Sequence, residues 1–230
     1  HDPTWYRSTV MELAYLSRTR FDIKPTLSYL TTKCQTPSVK DTEKLQKLVQ
    51  YVRATKHFVL RVKPTSLQVN ASADASYATH SDGKSNTGFC LWLGDSFNLI
   101  MAKSGKQRTV ANSTTVAELI ALSAAMEEVL WLVELLKDMG SSQDTVEIQQ
   151  DNKSTITLAE KGPSGEGRTK WLSVKYFWVE EHIDNGTVKL KYVPSLDMVS
   201  DGLTKPLGRD AFFKWRAKIL NSVRPGLNGD

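Results

Sequence analysis

The sequence predicts an α/β protein: five short strands with flanking helices, preceded by a small helical segment. Three observations carry that expectation. Apolar residues recur at helical spacing through the first 63 residues and switch to strand-like alternation from residue 67. The switch falls at Pro64, Thr65 and Ser66, a natural boundary between a segment 1–63 and a domain 64–230. Beyond it, strand and helix candidates follow the order βββαβα–α–β–α.

The elements read as follows. "YRSTVMELAYLSRTR" brings Val10, Leu13, Ala14 and Leu16 near one helical face. "KPTLSYLTTK" is a short second helix with Pro25 near its start. "SVKDTEKLQKLVQYVRATK" spaces Leu45, Leu48, Val49 and Val52 helically behind a cap at Asp41 or Thr42. "FVLRV" (58–62) reads as a short strand. Strands at 67–74, 86–93 and 97–103, with turns at "SDGKS" and "LGDS", make an antiparallel meander. A long amphipathic helix, 114–138, ends before Gly140. Strand 145–150, helix 152–160, the loop "KGPSGEGRTK", helix "WLSVKYFWVEEHI", strand 187–193 and helix "RDAFFKWRAKILN" complete the order. The aromatic cluster Trp171, Tyr176, Phe177 and Trp178 reads as core, because it lies on a helix.

Composition narrows the function. Apolar residues make up 40% and charged residues 24% of the 230, as in globular proteins. No run approaches the ~18 apolar residues of a membrane helix, so no membrane partner is expected. The chain opens without methionine or a signal-peptide pattern, as expected of a fragment or processed product. Cys34 and Cys90 are too few for a disulfide framework and fit a reducing compartment; no zinc spacing exists among them and the four His. The net charge of +5 leans toward a polyanionic partner.

The chemistry-bearing candidates are carboxylates at element ends. Asp74 interrupts the alternating run "LQVNASADAS", where a carboxylate is costly to bury. Asp151 follows the strand "TVEIQQ", at the end where ligands collect in α/β sheets. Glu118 lies about one turn into the long helix, and Asp201 opens "DGLTKPL". If the first and fourth strands are neighbours, Asp74 and Asp151 meet, and the long helix brings Glu118 over them. Such acids repel unless cations sit among them, and hard oxygen ligands suit Mg²⁺ or Mn²⁺. Each acid also has a plainer reading: Asp74 a turn residue, Glu118 a solvated helix residue, Asp151 and Asp201 helix caps.

"ADASYA", "STTVAELIAL", "QDNKSTITLA", "GRTK" and "YVPSLDMVSDGLTKPL", in that order, resemble the ribonuclease H domain of copia-type LTR retrotransposon Pol polyproteins. "YRSTVMELAYLSRTRFDI" and "LQKLVQYVRAT" look like the end of the same family's reverse transcriptase, toward its thumb and connection. The resemblance runs from about residue 6 to residue 220. It implies a ribonuclease H-like mixed five-stranded sheet flanked by helices. It also implies an Asp-Glu-Asp-Asp set, carried by motif to Asp74, Glu118, Asp151 and Asp201, that binds two Mg²⁺ (or Mn²⁺) and hydrolyses the RNA strand of RNA/DNA hybrids during reverse transcription. The implied partners are the hybrid and the upstream reverse transcriptase domain of the same polyprotein. The implied setting is a cytoplasmic virus-like particle, or the nucleus. The polymerase's paired aspartates are absent, so DNA synthesis is not expected.

Substrate contacts are read from residue chemistry. Ser113, Thr114 and Thr115 at a helix N-terminus suit phosphate, and equally suit capping. Asn152 is a donor to a 2′-OH or to backbone, or a cap. Arg168 and Lys170 suit phosphate, or are a solvated basic loop. Lys205 moderates the charge of Asp201. Where many relatives carry "RTKHIDIRYHF" this chain has "RTKWLSVKYFW", placing Trp171, Ser173 and Phe177 at the His, Asp and His positions. The loop before Asp201 lacks the histidine of many cellular ribonucleases H; His182, upstream, reads as a solvated helix-end residue. Two other readings stand beside the nuclease. One is a non-catalytic or host-adopted structural or nucleic-acid-binding module. The other is an integrase or transposase, whose usual order Asp, Asp, Glu differs from the order in this chain.

Overall fold

A computed structural model describes residues 2–161 and 170–221, the side chains of 161 and 170–173 excepted. The helical segment comprises α1 (Pro3–Leu16), α2 (Lys24–Thr31) and α3 (Val39–Ala54). Helix α3 starts at a capping box: Ser38 accepts from the Asp41 N–H, and the Asp41 carboxylate accepts from the Ser38 N–H. The cap is therefore Ser38, not Asp41 or Thr42. Asp41 is the third helical residue, returning the bond. Tyr6, Val10, Leu13, Leu27, Leu30, Leu45 and Leu48 form a core within this segment.

Residues 58–62 are not a strand. Phe58 and Leu60 pack inward and Val59 is exposed, but Val62, which alternation would turn inward, is exposed too. No strand lies beside them. Instead Arg61 N–H donates to the Leu220 carbonyl and Lys63 N–H to Asn98 Oδ1. The segment thus serves as a strap against the C-terminal part of the chain.

Strands β1 (Val69–Ser76), β2 (Asn86–Leu93) and β3 (Asn98–Lys106) form the antiparallel meander; β4 (Val146–Gln150) and β5 (Val188–Tyr192) add to it in parallel. The result is a mixed five-stranded sheet in the order β3-β2-β1-β4-β5. Helices α4 (Thr114–Asp138), α5 (Lys153–Lys161), α6 (Lys170–Asp184), α7 (Asp201–Thr204) and α8 (Arg209–Ile219) flank it. Among the described residues no helix is long and apolar enough to cross a membrane.

The strand period of two divides the sheet into faces. Val69, Ala71, Ala73, Phe89 and Leu91 pack with Leu119, Leu122 and Met126 of α4. Each large apolar side chain buried this way contributes roughly 1.5–3 kcal/mol. On the other face, Cys90, Trp92, Leu99 and Ala102 pack with Leu203, Trp215 and Ile219, and with Phe21 of the helical segment. Tyr176 of α6 is core, as expected; Phe177 is 54% exposed and is not.

Two glycines let α7 approach. A Cβ on Gly88 of β2 would lie 2.5 Å from Thr204 Cγ2 and 2.8 Å from Leu203 Cβ. A Cβ on Gly202 would run into the Trp215 ring of α8. Helix α7 is therefore sandwiched between β2 and α8, at a spacing that neither position allows with a side chain. Trp215 Nε1–H donates to the Val199 carbonyl, and the Ser72 and Ser200 hydroxyls pair at 2.7 Å, pinning the segment that leads into α7.

Candidate metal centre

The register explains how the acids meet. Parallel pairing of β1 and β4 sets Ser72 beside Gln149, so two residues on, Asp74 comes level with Asp151. In the antiparallel direction Asp74 sits opposite Gly88, the position that admits α7. Asp201 opens α7, with Ser200 rather than Asp201 at the cap position. Carboxylate oxygens of Asp74, Asp151 and Asp201 lie within 4.8 Å of one another. Asp74 is 1% exposed; the other two are half-buried.

Each acid is held by neighbours. The Thr204 hydroxyl donates to Asp74 Oδ2. The Ser195 hydroxyl donates to Asp151 Oδ2. Lys205 Nζ lies 2.9 Å from Asp201 Oδ1 and 3.5 Å from Asp74 Oδ1. Asp74 Oδ1 is buried and accepts no hydrogen bond. Burial pushes the Asp74 carboxyl up to about 6, with Asp201 and Asp151 adding to the rise and Thr204 and Lys205 opposing it. For Lys205 burial works against the charge, yet the Asp201 bond and the three acids raise it above the ordinary lysine value.

Glu118 lies outside the three-carboxylate set. It projects from α4, which packs on the Ala71 and Ala73 face, whereas Asp74 bonds to Thr204 of α7; it remains close enough to feel the charges of Asp74 and Asp151. Burial first, then the charges of Asp74 and Asp151, push it up to about 9. The Gln150 amide lies 3.5 Å from Glu118 Oε2, and the same side chain accepts from the Asp151 and Asn152 N–H groups. Gln150, Ser195 and Thr204 are the residues that the sequence did not single out. Gln150 carries a signal, a buried polar side chain just before an acid.

The expected substrate contacts fare unevenly. Ser113 caps α4, accepting from the Val116 N–H. Asn152 Oδ1 caps α5, accepting from the Thr155 N–H at 3.0 Å. Thr114 is an exposed first residue of α4. Arg168 lies outside the described residues, as does the side chain of Lys170. His182 Nδ1 is bonded to the Trp178 carbonyl one turn back.

The residues fit hard divalent cations. An all-oxygen donor set is what Mg²⁺ and Mn²⁺ take, and a buried carboxylate oxygen with no hydrogen bond has a place for one.

Fold and site together define an α/β protein whose mixed sheet carries a cluster of carboxylates at the ends of its two central strands. Its homologues are Pol polyproteins of copia-type retrotransposons. The chain is 29% identical over 220 residues, 95% of its length, to the retrovirus-related Pol polyprotein from transposon RE1 of Arabidopsis thaliana. It is 30% identical over 209 residues, 90% of its length, to that from transposon TNT 1-94 of Nicotiana tabacum. It spans 15% and 16% of those two polyproteins. No protein-family model matches it. Among solved structures, LC11-RNase H1, isolated from compost, is similar with a TM-score of 0.46 and 16% identity, over 64% of this chain and 97% of that one.

Proposed function

We propose that the chain is a metal-dependent endonuclease that cuts the RNA strand of RNA/DNA hybrids, as the ribonuclease H part of a retrotransposon Pol polyprotein. The observation that carries this is the convergence of Asp74, Asp151 and Asp201, from three separate elements, around a buried oxygen that accepts no hydrogen bond. Asp74, Glu118, Asp151 and Asp201 are the ligands in this reading. Two divalent cations bound there supply charge for the phosphoryl oxygens, an activated water and stabilisation of the departing 3′ oxygen. Asp74 offers its open Oδ1 toward the cluster, while the Thr204 hydroxyl fixes the rotation of its carboxyl plane. Ser195 does the same for Asp151. Without a cation Glu118 keeps its proton at neutral pH, so metal entry and proton release are coupled there. In this reading the chain divides near residue 64, its first part ending a reverse transcriptase, and it works beside that enzyme in a cytoplasmic particle or the nucleus.

One observation favours a second reading, a non-catalytic nucleic-acid-binding module. The Lys205 ammonium already sits between Asp74 and Asp201 and offsets part of their charge internally. The deciding experiment incubates labelled RNA/DNA hybrid with the chain and Mg²⁺, beside duplex DNA, duplex RNA and single-stranded RNA. Cleavage confined to the RNA of the hybrid is expected. Binding without cutting at any Mg²⁺ or Mn²⁺ concentration selects the second reading, and equal cutting of duplex DNA rejects the first.

A further inference from the structure

A cleft of about 670 Å³ separates the helical segment from the rim of the sheet, within the ~300–1,000 Å³ range of ligand sites. One wall comes from α2 and α3 and carries Tyr29, Lys33 and Lys44; the other comes from the β1–β2 connection, β3 and α7 and carries His80, Lys106 and Lys205. The lining between them is rich in hydroxyls, from Thr26 and Thr32 to Thr79 and Ser104.

The cations are prepared in different ways. Lys106 is paired with Asp82 at 2.7 Å, and Lys205 with Asp201. Neither Lys33 nor Lys44 lies within ion-pair distance of a carboxylate among the described residues. Both instead stand over the Tyr29 ring, 5.6 Å and 4.3 Å from its centroid, and Lys44 Nζ also donates to the Tyr29 hydroxyl at 3.2 Å. His80 Nε2 is buried and has no hydrogen-bond partner. The cleft thus offers positive charge held outside ion pairs, and many hydroxyls. That is the chemistry of a sugar–phosphate backbone, whose phosphates take the ammonium groups and whose sugar hydroxyls take the rest.

Its position names the strand. Thr204 and Lys205 line the cleft and also touch Asp74 and Asp201. The cleft therefore opens beside the carboxylates, where a strand with a phosphate at them would continue. We propose that the cleft grips the RNA strand next to the phosphate being cut, so that Lys33 and Lys44 of the helical segment are substrate-binding residues. This rests on the ribonuclease reading above and deepens it: the helical segment forms half of the substrate site.

The test uses the full chain with Lys33→Ala and Lys44→Ala combined, and hybrid affinity measured by fluorescence anisotropy in Ca²⁺ across a salt series. Both lysines are on the surface, and a melting curve checks that the fold is kept. Removing two phosphate contacts should weaken hybrid binding roughly tenfold and reduce the slope of log K against log salt by about 1.5. Lys33→Arg with Lys44→Arg should restore both. Unchanged affinity and slope overturn the proposal, even if the parent cuts hybrid. An equal loss on duplex DNA overturns the assignment to the RNA strand. If the parent fails to cut hybrid yet its binding depends on these lysines, the cleft stands and the ribonuclease reading falls.

Discussion

Asp22 and Asp74 are both nearly solvent-free, 3% and 1% exposed, and the molecule treats them in opposite ways. Asp22 is closed off. Arg20 grips both its oxygens at 2.9 and 2.8 Å, and the Tyr51 hydroxyl adds a third bond at 2.6 Å. Arg20 in turn donates to the Thr55 carbonyl and hydroxyl, and Arg216 of α8 donates to the Tyr51 hydroxyl. The Asp22 charge is thus answered inside the chain, by Arg20. Asp74 has one hydroxyl on Oδ2, an Oδ1 with no hydrogen bond and only a lysine at 3.5 Å, and two further acids close by. A buried carboxylate persists only if its charge is compensated. Asp22 is compensated by the fold, and Asp74 is left partly open to something from outside it.

Neutralising each carboxylate site separates the two cases. Asp74→Asn removes one charge at nearly constant shape. Under the proposed function it should lower cleavage by roughly 10³-fold, the several kcal/mol that bound cations supply to the transition state. The melting temperature without metal should hold or rise, because repulsion among the acids is relieved. An Asp74→Asn variant that cuts hybrid at the parent rate would remove Asp74 from the site. Arg20→Ala makes the converse case. It strands a buried carboxylate and should cost about 3–5 kcal/mol of stability by denaturant unfolding. Adding Asp22→Asn should recover part of that loss, and the Mg²⁺ dependence of any cleavage should not move. A metal requirement altered by Arg20→Ala alone would mean that the two regions are not independent.

The smallest effect is in pH. The folded Asp74 carboxyl is raised from 3.8 to about 6, so its protonated form favours folding. That stability is fully present below pH 4 and is lost as pH rises through 6, about 3 kcal/mol for a shift of this size. Glu118, raised to about 9, extends the loss toward alkaline pH. In chelator, thermal scans should therefore show stability falling from pH 4 upward, beyond what Asp74→Asn shows. In Mg²⁺ the fall should flatten. A chelated parent protein with the same pH profile as the Asp74→Asn variant would contradict an origin in the Asp74 carboxyl.

The sequence made Asp74 and Asp151 legible because each marks a local pattern. Asp74 interrupts an alternating strand, and Asp151 follows a strand directly. The sheet came through because a change of hydrophobic period survives without any tertiary information. What stayed hidden depends on contacts across the chain. Thr204 and Asp74 are 130 residues apart in sequence, and no spacing rule links them. Residues 58–62 alternate only as far as Leu60 and have no neighbouring strand, which composition does not reveal. At α3 both capping-box partners are polar, so composition alone did not decide which was the cap.

The sandwiching of α7 between Gly88 and Trp215 has a consequence for biosynthesis. A ribosome finishes Asp74, Glu118 and Asp151 well before Asp201, and Asp201 rides on a helix of four residues too short to hold itself in place. Its seat is completed only when the Trp215 ring comes to rest against Gly202. A translation product that stops short of α8 therefore has all five strands and all four acids, but lacks the ring that seats Asp201. The position of Asp201 thus depends on the last helix to be made.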